Sequence, residues 1–197
     1  GDLIAYDGFD YTSGGGSNWN GQSGGSGWTE AWSVSNTSNS GIYSGSLSED
    51  TGSLETDANS AWVDDYASAA RELDYTLGQN DTSLWVGFLF NVEKNNSPLL
   101  RGYLKLGSDA DNCVELGLGW SDDYRGEAWI GGNRYYMPTS SVTAVDGETA
   151  FLVYRFDFGD TGVADQVRLW VDPTPGSQPS DGSADSTWTL PGTTQFA

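Results

Sequence analysis

The sequence predicts an all-β fold, a sandwich or jelly roll of roughly a dozen short strands. Three observations point to it. Apolar and polar residues alternate in short runs, Gly, Ser, Thr and Asn punctuate the intervals, and no stretch sustains a helical period. Of the 197 residues 37% are hydrophobic and only 18% charged, and nine Trp, ten Tyr and seven Phe can fill a core. A disordered chain is poor in aromatics and rich in charge. The length suits one sandwich domain over residues 1–197.

Leu3–Phe9 reads as the first strand. Thr12–Gly27 (TSGGGSNWNGQSGGSG) reads as a flexible connection, with Trp19 its only large side chain. Trp32–Asn36, Ile42–Leu47 and Ala61–Tyr66 are short strands. Asp64–Arg71 looks helix-like, but Ala69, Arg71, Leu73, Tyr75 and Leu77 alternate with Ala70, Glu72, Asp74 and Thr76, which predicts a strand. Leu84–Val92 is apolar on both faces, as in a central strand. Leu100–Leu106, Cys113–Leu118, Glu127–Ile130 and Arg134–Met137 follow. Phe151–Phe158 and Gln166–Asp172 alternate cleanly, the latter turning Val167, Leu169 and Val171 inward and leaving Trp170 open to either role. Trp28, Trp32, Trp62, Trp85 and Trp188 read as structural. Asp172–Ser186 carries three of the six prolines and reads as a stiff surface excursion. Strands flank both loops, so neither is a domain linker.

Charge and composition exclude whole classes of function. Eight basic residues against 28 acidic ones give a net charge of −20, which cannot neutralise nucleic-acid phosphates and is repelled by anionic lipid. No apolar run is long enough to span a bilayer. A single cysteine, Cys113, excludes an internal disulfide and reads as a buried thiol. Histidine is absent, so imidazole base catalysis and imidazole metal sites are impossible. The acid excess itself needs no ligand, because it keeps a secreted or salt-adapted protein soluble.

Three segments carry a resemblance: LIAYDGFDY at the start, GQSGGSGWTEAWSVS after it, and FLVYRFDFGDTGVADQVRLWVDPTPG from Phe151 to Gly176. In that order they resemble secreted bacterial β-sandwich domains of the concanavalin A-like, laminin-G-like jelly-roll group. The resemblance implies a two-sheet antiparallel jelly roll, export, a cell-surface setting and, commonly, carbohydrate binding. Members usually continue past the DPTPG run with further strands. The sandwich is therefore expected to lack its last strand or strands, through fragmentation, processing or completion by a neighbouring subunit. Gly1-Asp2 is expected to be the end left by signal-peptide removal. The sequons at Asn36, Asn80 and Asn95 are expected to be unused in a bacterial protein.

Within this superfamily, laminarinase-type hydrolases carry E-x-D-x-x-E on one strand, which is missing here, and Glu115 and Glu127 are separated by a turn-rich segment. Tyr135 or Tyr136 with Arg134 would support elimination only with a base that the sequence lacks. The expectation is no enzyme and no organic cofactor. Calcium takes carboxylate and carbonyl oxygens. Its candidate ligands are Asp109, Asp111 and Asn112 in one turn and Asp157, Asp160 and Asp165 around another, although Asp also favours turns for its own backbone bonds.

Sugar recognition sets flat aromatic faces beside hydrogen-bonding groups. The run 119–136 offers Trp120, Asp122, Asp123, Tyr124, Arg125 and Trp129, then Asn133, Arg134 and Tyr135 on what should be a neighbouring strand. Some of these aromatics will instead fill the core. Two readings result. The chain is a polysaccharide-binding module, or it is an extracellular structural subunit that assembles with like subunits through an unfinished C-terminal sheet edge.

Overall fold

The structure is a computed structural model that describes residues 2–48, 54, 59–64, 67–93, 102–107, 111–119 and 122–191. Strand accounts for 43% and helix for 4%, so the chain is all-β. The backbone gathers into two compact units, Gly1–Ser48 with Leu54–Thr76, and Glu49–Ser53 with Leu77–Ala197.

The first unit holds β1 (Gly14–Gly15), one helical turn α1 (Gly16–Trp19), β2 (Ser33–Val34), β3 (Ser40–Tyr43), β4 (Ser60–Val63) and β5 (Ala69–Ala70). Strand β3 pairs antiparallel with β1 and β4, and β2 pairs with β5. Three expectations change here. Thr12–Gly27 is no flexible connection. Trp19 is 4% exposed and packs 5.2 Å from Trp32 and 5.9 Å from Phe9, between ring centres. Gly25 and Gly27 have φ of 76° and 80°, and a β-carbon at either would run into the carbonyls of Tyr6 and Ile4. Only glycine lets the loop lie against that segment.

Leu3–Phe9 makes a single bridge, Tyr6 to Ser26, because Phe9 turns left-handed (φ 55°) and donates its N–H to Asp7 Oδ1 at 2.9 Å. The alternating run after Ala69 gives only β5 and a bridge from Leu73 to Trp28. Arg71, on the same side of the run as Ala69 and Leu73, donates to Asp7 Oδ2 (2.8 Å), Glu30 O (2.6 Å) and Gly24 O (2.6 Å). The Asp7 and Arg71 side chains are 5% and 3% exposed. Tyr11 Oη and Trp32 Nε1 also donate to Asp7 Oδ2, so the buried charge is paired and hydrogen-bonded.

The second unit is a β-sandwich. Its strands are β6 (Thr82–Asn91), β7 (Tyr103–Gly107), β8 (Cys113–Leu118), β9 (Tyr124–Ile130), β10 (Asn133–Tyr136), β11 (Thr149–Phe158), β12 (Gln166–Val171) and β13 (Ser186–Thr189). Two antiparallel four-stranded sheets, in the orders β10-β9-β8-β7 and β13-β12-β11-β6, pack against each other. Leu116, Ala128, Leu152, Tyr154 and Leu169 are fully buried between them. Tyr154 Oη crosses the core to donate to the Arg125 carbonyl at 3.0 Å, and burial pushes its phenol far above the usual range. Gly131 and Gly132, both with positive φ (56° and 77°), close the two-residue β9–β10 hairpin.

The strand expected to be central, β6, lies at an edge among the described residues. Its inner residues Leu84, Val86, Phe88 and Phe90 pack on the core, while outward Trp85 stacks on Trp170 at 5.4 Å. Both faces are therefore apolar with no second neighbouring strand among the described residues. The proline-rich excursion packs on this same outer face. Trp170 Nε1 donates to Ser180 O (3.0 Å), Phe151 N to Asp172 Oδ1 (2.7 Å) and Val171 N to Asp185 Oδ2 (2.8 Å). Trp170 points out of the sheet yet is only 2% exposed. Among the described residues strand β13 is also an edge, and the C-terminal stretch at which the sheet is expected to be unfinished, residues 192–197, lies outside them.

Candidate functional site

The outer face of the β7–β10 sheet concentrates the side chains able to meet a ligand. Alternation along β9 turns Tyr124, Gly126, Ala128 and Ile130 to the core and Arg125, Glu127 and Trp129 outward. Register then fixes the neighbours. Glu115 and Gly117 of β8 stand opposite Glu127 and Arg125, and Arg134 and Tyr136 of β10 stand opposite Trp129 and Glu127. Tyr103 and Lys105 of β7 face Gly117 and Glu115.

Glu127 is the centre of this face. Arg125 Nη2 donates to its Oε1 at 2.8 Å, and Arg134 donates to Oε2 through Nε at 3.0 Å and through Nη2. The carboxylate is only 3% exposed despite pointing outward. Burial works against the charge on Arg134, but the bonds to Glu127 outweigh it and hold the guanidinium above its ordinary pKa. Aromatic rings frame the pair. The Arg134 guanidinium lies 4.7 Å from the Tyr136 ring and 5.2 Å from Trp129, and that of Arg125 lies 5.3 Å from Tyr136. Gly119 packs so closely on Arg125 Nε that a β-carbon there would collide with it. Tyr103, Glu115, Gly117, Arg125 and Glu127 line a shallow depression. Tyr103 and Tyr136 are 45% and 50% exposed. The face thus sets half-exposed aromatic rings around a charge-paired, hydrogen-bonded centre.

Of the residues the sequence singled out, Arg125, Trp129 and Arg134 meet on this face. Tyr124 and Tyr135 do not. Tyr124 is 4% exposed, 6.5 Å from Phe90 between ring centres, and burial pushes its phenol up to about 12. Tyr135 packs against the core from β10. Asp122, with φ of 61°, accepts from Ala144 N at 2.7 Å through its carbonyl, and Asp123 Oδ1 accepts from Thr143 Oγ1 at 3.3 Å. They fasten the loop before β9. Asn133 is exposed at the hairpin, and Trp120 lies outside the described residues.

The sequence reading passed over Tyr103 and considered Glu115 and Tyr136 only as catalytic groups. Starting the strand at Glu127 hid the parity that joins Arg125, Glu127 and Trp129. Glu115 and Glu127, read as kept apart by turns, are direct cross-strand partners because those turns form the β8–β9 connection.

The candidate calcium ligands that the structure describes make contacts within the chain. Asp157 accepts from Arg155 Nε (3.0 Å), from Arg168 and from Ser83 Oγ (2.7 Å). Asp165 is 1% exposed and holds Gly159 N at 2.8 Å, while Asp160 Oδ1 accepts its neighbour's Thr161 N. Asp111 O and Asn112 Oδ1 accept from Gly132 and Gly131 and brace the hairpin, and Asp109 lies outside the described residues. Among the described residues no three acidic or thiol groups converge as a metal site. No family model, curated protein or solved structure matches the chain.

Proposed function

We propose that the chain is a secreted, non-catalytic β-sandwich module that binds polysaccharide on the outer face of the β7–β10 sheet. One observation supports this most: Tyr103, Trp129 and Tyr136 present ring faces around an Arg125–Glu127–Arg134 network that packing already holds in place. A preorganised surface loses little conformational freedom when a sugar docks. A hydrolase would need two carboxylates able to reach a glycosidic bond. Both oxygens of Glu127 are instead bonded to guanidinium groups, which suits a structural and recognition role.

A glycan array tests the reading. The wild-type chain should retain a subset of polysaccharides, and Tyr136→Ala and Tyr103→Ala should each weaken retention at least tenfold while melting like wild type, since both rings are largely exposed. Retention of no glycan, or undiminished retention by both variants, contradicts the reading.

A further inference from the structure

Strand β6 has an edge unlike the others in its sandwich. Sheet edges are normally kept short or carry a charge or proline, because unpaired N–H and C=O groups invite another strand. Strands β10 and β13 have four residues each, with Arg134 on β10, and β7 has five with Lys105. Strand β6 runs ten residues, TSLWVGFLFN, with no charge and no proline in a chain at −20.

The directions of its backbone groups follow from β11. Asp172 N donates to Phe151 O at 2.8 Å, so Phe151, Val153 and Arg155 turn their backbone toward β12, and Leu152, Tyr154 and Phe156 turn theirs toward β6. By register Leu84, Val86, Phe88 and Phe90 answer them. Ser83, Trp85, Gly87, Leu89 and Asn91 therefore point their N–H and C=O groups away from the sheet, where no strand of the described residues lies. Ser83, Trp85 and Gly87 are exposed.

We propose that this edge pairs antiparallel with β6 of a second copy of the chain, about a two-fold axis at Gly87, joining two four-stranded sheets into one. That register engages every outward backbone group of the edge. It sets Ser83 beside Asn91 of the partner subunit, Trp85 beside the partner's Leu89, and Gly87 opposite the partner's Gly87. Polar meets polar, apolar meets apolar, and the residue on the axis has no side chain to clash. Within Thr82–Asn91 no charge opposes the pairing of two acidic chains, and the acidic Asp81 and Glu93 lie beyond the ends of the strand. Such an interface is self-complementary, so it closes at the dimer and does not propagate into fibres.

Sedimentation of the full chain should show a concentration-dependent dimer. In a Cys113→Ser background, Gly87→Cys should link covalently on mild oxidation, because facing α-carbons of a hydrogen-bonded pair lie about 5.5 Å apart, within disulfide range. Ser83→Cys, offset from its own copy, should not link. Gly87→Asp places two carboxylates face to face and should give monomers that still melt cooperatively; if it fails to fold, the cysteine pair decides. A monomer at every concentration, fibres, or equal linking by both cysteine variants overturns the proposal. Glycan retention on the opposite sheet is an independent readout that this outcome does not touch.

Discussion

The two outer faces of the sandwich carry nearly the same side chains and use them differently. On one, Arg155 and Arg168 share Asp157 beneath Trp85 and Trp170. On the other, Arg125 and Arg134 share Glu127 beside Trp129 and Tyr136. The difference is the proline-rich excursion. Asp181 reaches from it to Arg155 at 2.8 and 3.0 Å, and Ser180 takes the Trp170 indole N–H. Asp181 is the main reason the Arg155 guanidinium sits above its ordinary pKa, and the same bond holds the exposed Asp181 carboxyl below its own. The first face is stapled shut, whereas the second leaves two tyrosines half in solvent. One set of residues is covered and locked on the first face and left uncovered on the second, where we propose that recognition occurs.

Glu127→Ala should have the largest effect on this contrast. It strands two guanidinium groups, of which Arg125 and Arg134 are only 13% and 23% exposed, and should cost about 3–5 kcal/mol in denaturant unfolding. Glutamine should recover part of the loss because it still accepts hydrogen bonds. Arg155→Ala should cost less, about 1–3 kcal/mol, since Asp157 keeps Arg168 and partial solvent contact. Proteolysis within residues 172–186 should nevertheless accelerate in that variant.

A smaller effect separates inward from outward tyrosines. Burial raises the phenols of Tyr11, with help from the Asp7 hydrogen bond, and of Tyr124 from 10.0 to about 12. The unfolded chain loses these protons first. Their contribution is therefore complete below pH 10.0 and is lost as pH rises toward about 12. The melting temperature should fall across that window, and Tyr124→Phe should flatten the fall. An unchanged profile in the variant would place the sensitivity elsewhere.

The sandwich was legible because alternation in Phe151–Phe158 and Gln166–Val171 matches one buried face, which is how antiparallel sheets write themselves into sequence. Less was legible in the first unit. Alternation places Arg71 on the apolar side of its run with Ala69 and Leu73, but only the fold brings it 2.8 Å from Asp7, sixty-four positions away. Glycines between Thr12 and Gly27 look like flexible linker but are required by close backbone contact. The candidate face was half legible. Arg125, Trp129 and Arg134 stand in one run, yet their partners Glu115 and Tyr103 come from strands whose register no local pattern records. For Asp157, Asp160 and Asp165 the sequence shows the acidic cluster but not the arginine and backbone partners that the fold brings to them.

The most direct test is a backbone and indole NMR titration with soluble oligosaccharides drawn from whichever polysaccharide the chain retains. Shift changes should cluster at Tyr103, Glu115, Arg125, Trp129, Arg134 and Tyr136 and leave Trp85 and Trp170 still. Changes centred on Trp85 and Trp170, or scattered over both sheets, would contradict the assignment of recognition to the uncovered face.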